Sequence, residues 1–260
     1  MEYVGVERVG RQSTRFINSV GGMCIMFAKF LASLKDIHRS GGIIFQQLYS
    51  IGVRSVPLIA VISVFVGAVS AWQAAYQFKF IGAPLRYLGP AVGKAVVMEL
   101  APVLSSLVVA GRVGAGIAAE LGTMRVTEQI DALDSLGISP VRYLVMPRMV
   151  ACIVMLPLLV VFANFIAIVG GMVVAVLGVD ISYETYMNGF KNSFVLQDFI
   201  NGLIKAAVFG GVIGLVGSYH GFRAEGGAQG VGHATTTSVV VSSVLILVFN
   251  FFFAVMLFRL

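Results

Sequence analysis

Apolar residues along this chain gather into stretches of about 20, the length a helix needs to cross a bilayer, with most polar residues between them. Five stretches qualify, at residues 56–76, 92–111, 150–177, 199–218 and 239–257. In the first, Phe65, Val69, Trp72 and Tyr76 share a helical face toward one end. That pattern suits either an aromatic belt or an apolar wall for acyl chains. In the fourth, Ala206, Gly210, Gly214 and Ser218 recur every four residues and make a small-residue packing stripe, within the chain or between subunits. The segment "SVGGMCIMFAKFLASL", residues 19–34, is too short for a comfortable span and carries Lys29 in its middle, so a helix lying in the membrane interface is expected. A cleaved signal peptide is the alternative, but no A-x-A-like site follows the apolar run.

Between the second and third stretches, "AELGTMRVTEQIDALDSLGISP", residues 119–140, reads as an amphipathic helix. Val126, Ile130, Leu133 and Gly137 fall on one face, and Glu128, Asp131 and Asp134 point away from it. Gly137 followed by Pro140 is the expected stop. The chain is therefore expected to be an all-α integral membrane protein with five transmembrane helices, an N-terminal interfacial segment over residues 1–42 and one membrane domain over 43–260.

Composition agrees. Of the 260 residues 58% are hydrophobic and 12% charged, whereas soluble domains carry about 25% charged residues. A net charge of +6 would suggest nucleic acid as a partner of a soluble protein, but membrane orientation explains it here. Arg8, Arg11, Arg15, Lys29, Lys35, Arg39 and Arg54 precede the first stretch, and Arg112, Arg125, Arg142 and Arg148 lie between the second and third. The other side has Lys79, Arg86, Lys94, Lys191 and Arg259. The N-terminus and the 112–148 connection are thus expected to be cytoplasmic, and the odd span count puts the C-terminus outside.

Catalytic motifs fail their tests. "GPAVGKA", residues 89–95, has three residues between its glycines instead of four, and Ala95 where a phosphate loop needs a hydroxyl. No strand precedes the G-x-G of "GRVGAGIAAELG", so small residues for close helix packing explain it better than a dinucleotide site. Cys24 and Cys152 lack C-x-x-C spacing, and His38, His220 and His233 are scattered, so neither a disulfide nor a metal site is expected.

Charge inside the spans is the strongest signal. A carboxylate within a span costs on the order of 2.5–3.5 kcal/mol on insertion scales, which marks Glu99 as functional. Counted from the start of its stretch, Glu99 lies roughly 10 Å deep and Lys205 about 9 Å deep from the same side. They are expected either to pair or to face one outward polar cavity able to hold an ionic lipid headgroup, with Met98 beside it. A pair that only fixes helix register is the bland alternative. Pro102 has no N–H for the Met98 carbonyl, which predicts a kink.

The run "ELAPVLSSLVVAGRVGAGIAAELGTMRVTEQIDALDSLGISPVRYLVMPRMVA" resembles the MlaE/YrbE family of ABC-transporter permeases, and "GGAQGVGHATTTSVV", residues 226–240, resembles that family's last cytoplasmic loop. The resemblance covers roughly residues 43–258 and departs at Ala101, where the family often has glycine. It implies a homodimer in the bacterial inner membrane, moving phospholipid or a related lipid. It also implies an ABC ATPase docked on a coupling helix, an MCE-domain protein on the outer side, and a STAS-domain protein bound through the ATPase. Glu120, Gly122, Met124, Arg125, Glu128 and Gln129 are then the coupling positions, and ATP and Mg belong to the partner chain, with no cofactor on this one. A proton-coupled secondary transporter or channel using Glu99 is the alternative, against which stand the odd span count and the off-centre carboxylate. A purely structural membrane anchor is a third.

Overall fold

The computed structural model describes residues 2–257, so Arg259 of the charge count lies outside the described residues. Among these residues the chain is helical, in the order α1 (Glu2–Ser33), α2 (Gly41–Ile51), α3 (Val56–Ile81), α4 (Leu88–Ala95), α5 (Ala101–Val109) and α6 (Ala115–Val126). Then follow α7 (Gln129–Ser135), α8 (Met146–Val179), α9 (Tyr183–Ser193), α10 (Leu196–Phe222) and α11 (Gly227–Leu257). One end of the bundle carries α7 and is called the near end here; the far end carries α9.

By length and apolar content, six segments among the described residues could cross a membrane, instead of the five expected. The added one is Ile17–His38, because a 3-10 turn over Leu34–Ser40 continues α1 beyond the apolar run. Its contacts sit at the near end: Gly22 lies beneath the Tyr219 ring, and Phe30 packs with Val145, Met146 and Met149. Ile17, Ile25, Phe27 and Leu31 remain exposed.

The second span is not one regular helix, and its irregularities are π-turns. It runs from Leu85 to Val126, and π-helical turns at Val96–Leu100 and Ala110–Gly114 separate α4, α5 and α6. A third π-turn, Val141–Val145, leads into α8. Such turns insert a residue into the helical register and often mark functional positions. Here they carry Glu99, Arg112 and Arg142.

Close backbone contact holds the layers together, as expected where lipid removes the hydrophobic drive between helices and packing must supply it. A Cβ on Gly67 of α3 would overlap the Ala167 carbonyl of α8, and one on Gly170 would stand 2.7 Å from the Val64 oxygen. The stripe on α10 packs within the chain: Gly210 abuts the Cys152 carbonyl, a Cβ on Gly214 would lie 3.0 Å from the Met149 Cα, and Ala206 and Ser218 are wholly buried. α10 is the central helix, flanked by α8, α6 and α11.

Two expectations from the sequence are corrected. Residues 119–140 do not form one helix: α6 ends at Val126, Glu128 takes a left-handed conformation with φ 60°, and α7 starts again at Gln129. Residues 227–240 are not a loop but the first turns of α11, entered through Gly226 and Gly227 at φ 85° and 69°. Their hydroxyls are absorbed by the helix itself. Thr235 donates to the Val231 carbonyl at 2.7 Å and Thr236 to that of Gly232 at 3.0 Å, so a threonine run that looks polar in sequence is compatible with helix.

Candidate functional site

Glu99, Lys205 and Asn250 meet where the first π-turn, α10 and α11 come together. Lys205 Nζ donates to Glu99 Oε1 at 2.7 Å, to Asn250 Oδ1 at 3.3 Å and to the Met98 carbonyl at 3.3 Å. Asn250 Nδ2 donates to Glu99 Oε2 at 3.0 Å, which closes a ring of three side chains. Local sequence explains the arrangement. Pro102 cannot donate to the Met98 carbonyl, so that oxygen is available to the ammonium. Gly202 lets α10 approach until a Cβ there would stand 2.7 Å from the Val97 oxygen, one turn from Lys205.

The two charges are unequally placed. The Lys205 side chain is wholly buried, whereas that of Glu99 is 38% exposed. An ammonium with carboxylate, amide and carbonyl acceptors around it is stabilised inside the bundle, and it keeps its partner carboxylate oriented. The exposed edge of Glu99 can accept hydrogen bonds or an ammonium from outside. The two therefore do not face an opening equally: Glu99 reaches it and Lys205 stands behind.

Met98 is half-buried beside the ring. Phe65, Val69, Trp72 and Tyr76 form an exposed stripe on the outward side of α3, each 58–66% exposed, with the Trp72 ring over Gly178 of α8. Asn250 was missed by sequence reasoning, although it is the single polar residue in the apolar run "VLILVFNFFFAVML" and had the same signal as Glu99.

At the near end, Glu120 is paired with Arg148 at 3.1 Å, and the buried Arg148 also donates to the Leu144 carbonyl at 2.9 Å. Arg112 donates to Ser55 Oγ at 2.6 Å, tying the second π-turn to the start of α3. Gly122 is buried against Ala224 and Val231, and Met124 packs on the core. Arg125 forms an ion pair with Asp131 across the break. Glu128 and Gln129 are exposed at the corner, with Gln129 Nε2 donating to Thr127 Oγ1 at 2.9 Å. Of the carried-over positions, Gly122 and Met124 thus face inward, Glu120 and Arg125 are held in ion pairs, and Glu128 and Gln129 form an outward corner. Beyond α7, Leu136 is 74% exposed, an apolar contact that the sequence pattern did not single out. Among the described residues there is no cluster of His, Cys, Asp or Glu able to hold a metal.

Comparison with known proteins agrees with this architecture. The family model described as Permease MlaE matches residues 44–256. The chain is 39% identical over 251 residues to a probable ABC transporter permease protein of Rickettsia felis, covering 96% of each chain. It is 40% identical over 214 residues to one of Synechocystis, covering 82% of this chain and 81% of the other. One of Pyropia yezoensis is 32% identical over 90% of this chain and 89% of its own. With a multi-pass bundle of apolar helices and matches over nearly its whole length, the chain belongs to the MlaE permease family of ABC transporters.

Proposed function

We propose that this permease moves a phospholipid or related lipid through a site whose polar contact is the exposed edge of Glu99. The observation that carries the proposal is the closed ring of Glu99, Lys205 and Asn250, buried on one side and open on the other, among apolar helices. An ion pair serving only as a register lock has no need of an exposed carboxylate edge, because each exposed charge in an apolar layer adds cost. A lipid headgroup supplies the missing polar partner. Phe65, Val69, Trp72 and Tyr76 then offer an apolar wall to the acyl chains. Two copies form the transporter, and an MCE-domain protein on the outer side exchanges lipid with it.

The near end is cytoplasmic in this proposal, the C-terminus periplasmic and the membrane the bacterial inner membrane. An ABC ATPase, with a STAS-domain protein attached, docks on the corner of Glu128 and Gln129 and the exposed Leu136. ATP and Mg stay on that partner, so this chain performs no catalysis. Closure of the ATPase would push α6 and α7, and the Glu120–Arg148 pair would pass the motion to α8 and the far-end site. Membership of an ABC family takes the place of the proton-coupled carrier.

The test is transport in vesicles reconstituted with the ATPase, using Glu99→Gln and Lys205→Met, with Glu128→Arg/Gln129→Arg in parallel. The first two should lose lipid transfer while still binding the ATPase, and the third should lose ATPase binding. Normal transport by well-expressed Glu99→Gln would overturn the lipid-site proposal.

A further inference from the structure

A cleft of about 290 Å³ lies between α1, α7 and the near end of α10, far along α10 from Lys205. Its lining is divided. Ile25 and Phe222 are apolar, whereas Lys29, Asp131, Asp134 and Arg223 bring two charges of each sign.

These charges are not all satisfied by one another. Asp131 is taken by Arg125, and the Arg223 guanidinium sits over the Tyr219 ring and donates to its hydroxyl. Lys29, Arg223 and Asp134 have no ion-pair partner among the described residues. Opposite charges line one cleft without closing on each other. The space favours a ligand carrying both signs over a simple anion or cation. A phosphodiester would suit Lys29 and Arg223, and an ammonium two carbons away would suit Asp134.

The source of such a ligand follows from α1. Ile17, Ile25, Phe27 and Leu31 of that helix are exposed, an apolar surface suited to contact with lipid. Acyl chains can leave the cleft past Ile25 and Phe222. We propose that this cleft binds the headgroup of a zwitterionic aminophospholipid from the adjoining leaflet, at a site separate from Glu99. One wall is α7, immediately after the Glu128 break, so an occupied cleft would tie that helix to α1 and make its position depend on the lipids around it.

The test is native mass spectrometry of the full-length protein from micelles containing equal phosphatidylethanolamine and phosphatidylglycerol. Wild type should retain phosphatidylethanolamine preferentially. Asp134→Asn should lower that preference by about fivefold, the upper range for an exposed ion pair, and Lys29→Gln should lower retention of both lipids. A preference that falls with Glu99→Gln but not with Asp134→Asn would assign the retained lipid to the Glu99 site and overturn this inference. Equal retention of both lipids by wild type would overturn it, and this readout needs no variant to fold. An unchanged preference in Asp134→Asn would do the same. Displacement of the lipid by soluble O-phosphoethanolamine alone would overturn the membrane source.

Discussion

Removing either member of the Glu99–Lys205 pair should destabilise the fold, but not equally. In Glu99→Gln the Lys205 ammonium stays wholly buried and loses the carboxylate, keeping the Met98 carbonyl and amide oxygens as acceptors. Breaking a buried pair in this way costs about 3–5 kcal/mol. In Lys205→Met the remaining Glu99 is 38% exposed and keeps the Asn250 Nδ2 bond at 3.0 Å. Its cost should be closer to that of a lost charged hydrogen bond, about 1–3 kcal/mol. The double variant should cost less than the sum, since no charge is left unpaired. Reversible unfolding in mixed micelles, followed by helical circular dichroism, measures all three. A gap of about 2 kcal/mol is roughly a thirtyfold difference in the folded-to-unfolded ratio. If Lys205→Met costs as much as Glu99→Gln, or the double variant is additive, the inference that Lys205 stands behind a partly open carboxylate is wrong.

Asn250→Leu removes the bonds to both Lys205 and Glu99 and should cost about 1–3 kcal/mol at the strengths measured for interhelical bonds in membranes, read by the same unfolding assay. Glu128→Gly should stabilise the fold by about 1 kcal/mol, because glycine adopts φ 60° without strain, yet should weaken ATPase docking in a pull-down. Tyr186 of α9 has its phenol pushed up to about 12 by burial, and its hydroxyl has no hydrogen-bond partner among the described residues. The neutral form is therefore favoured by folding, so its contribution is present below pH 10 and is lost as pH rises from there toward 12. Tyr186→Phe should leave neutral-pH stability nearly unchanged and remove the last step of the 295 nm phenolate titration. Gly67→Val should abolish the folded state, since its Cβ overlaps the Ala167 carbonyl, and protease resistance would report the loss.

Five of the six apolar helices, and the placing of Glu99 and Lys205 within two of them, were legible in the chain, because apolar run length is a local property that a bilayer imposes directly. The inward face of residues 126–133 was legible too: Ile130 is buried and Leu133 half-buried, as the helical period requires. Matching depth brought Glu99 and Lys205 to one level but could not say how each helix was rotated. Tertiary packing decided that Lys205 is enclosed, that Glu99 keeps an open edge and that Asn250 closes the ring, because these depend on which faces of three helices distant in sequence meet. The same holds at Glu128, where periodicity continues but the backbone turns left-handed and the Arg125–Asp131 pair spans the break. Periodicity reports which side of a helix is apolar; only the surrounding helices determine where that helix must stop and which polar group it meets.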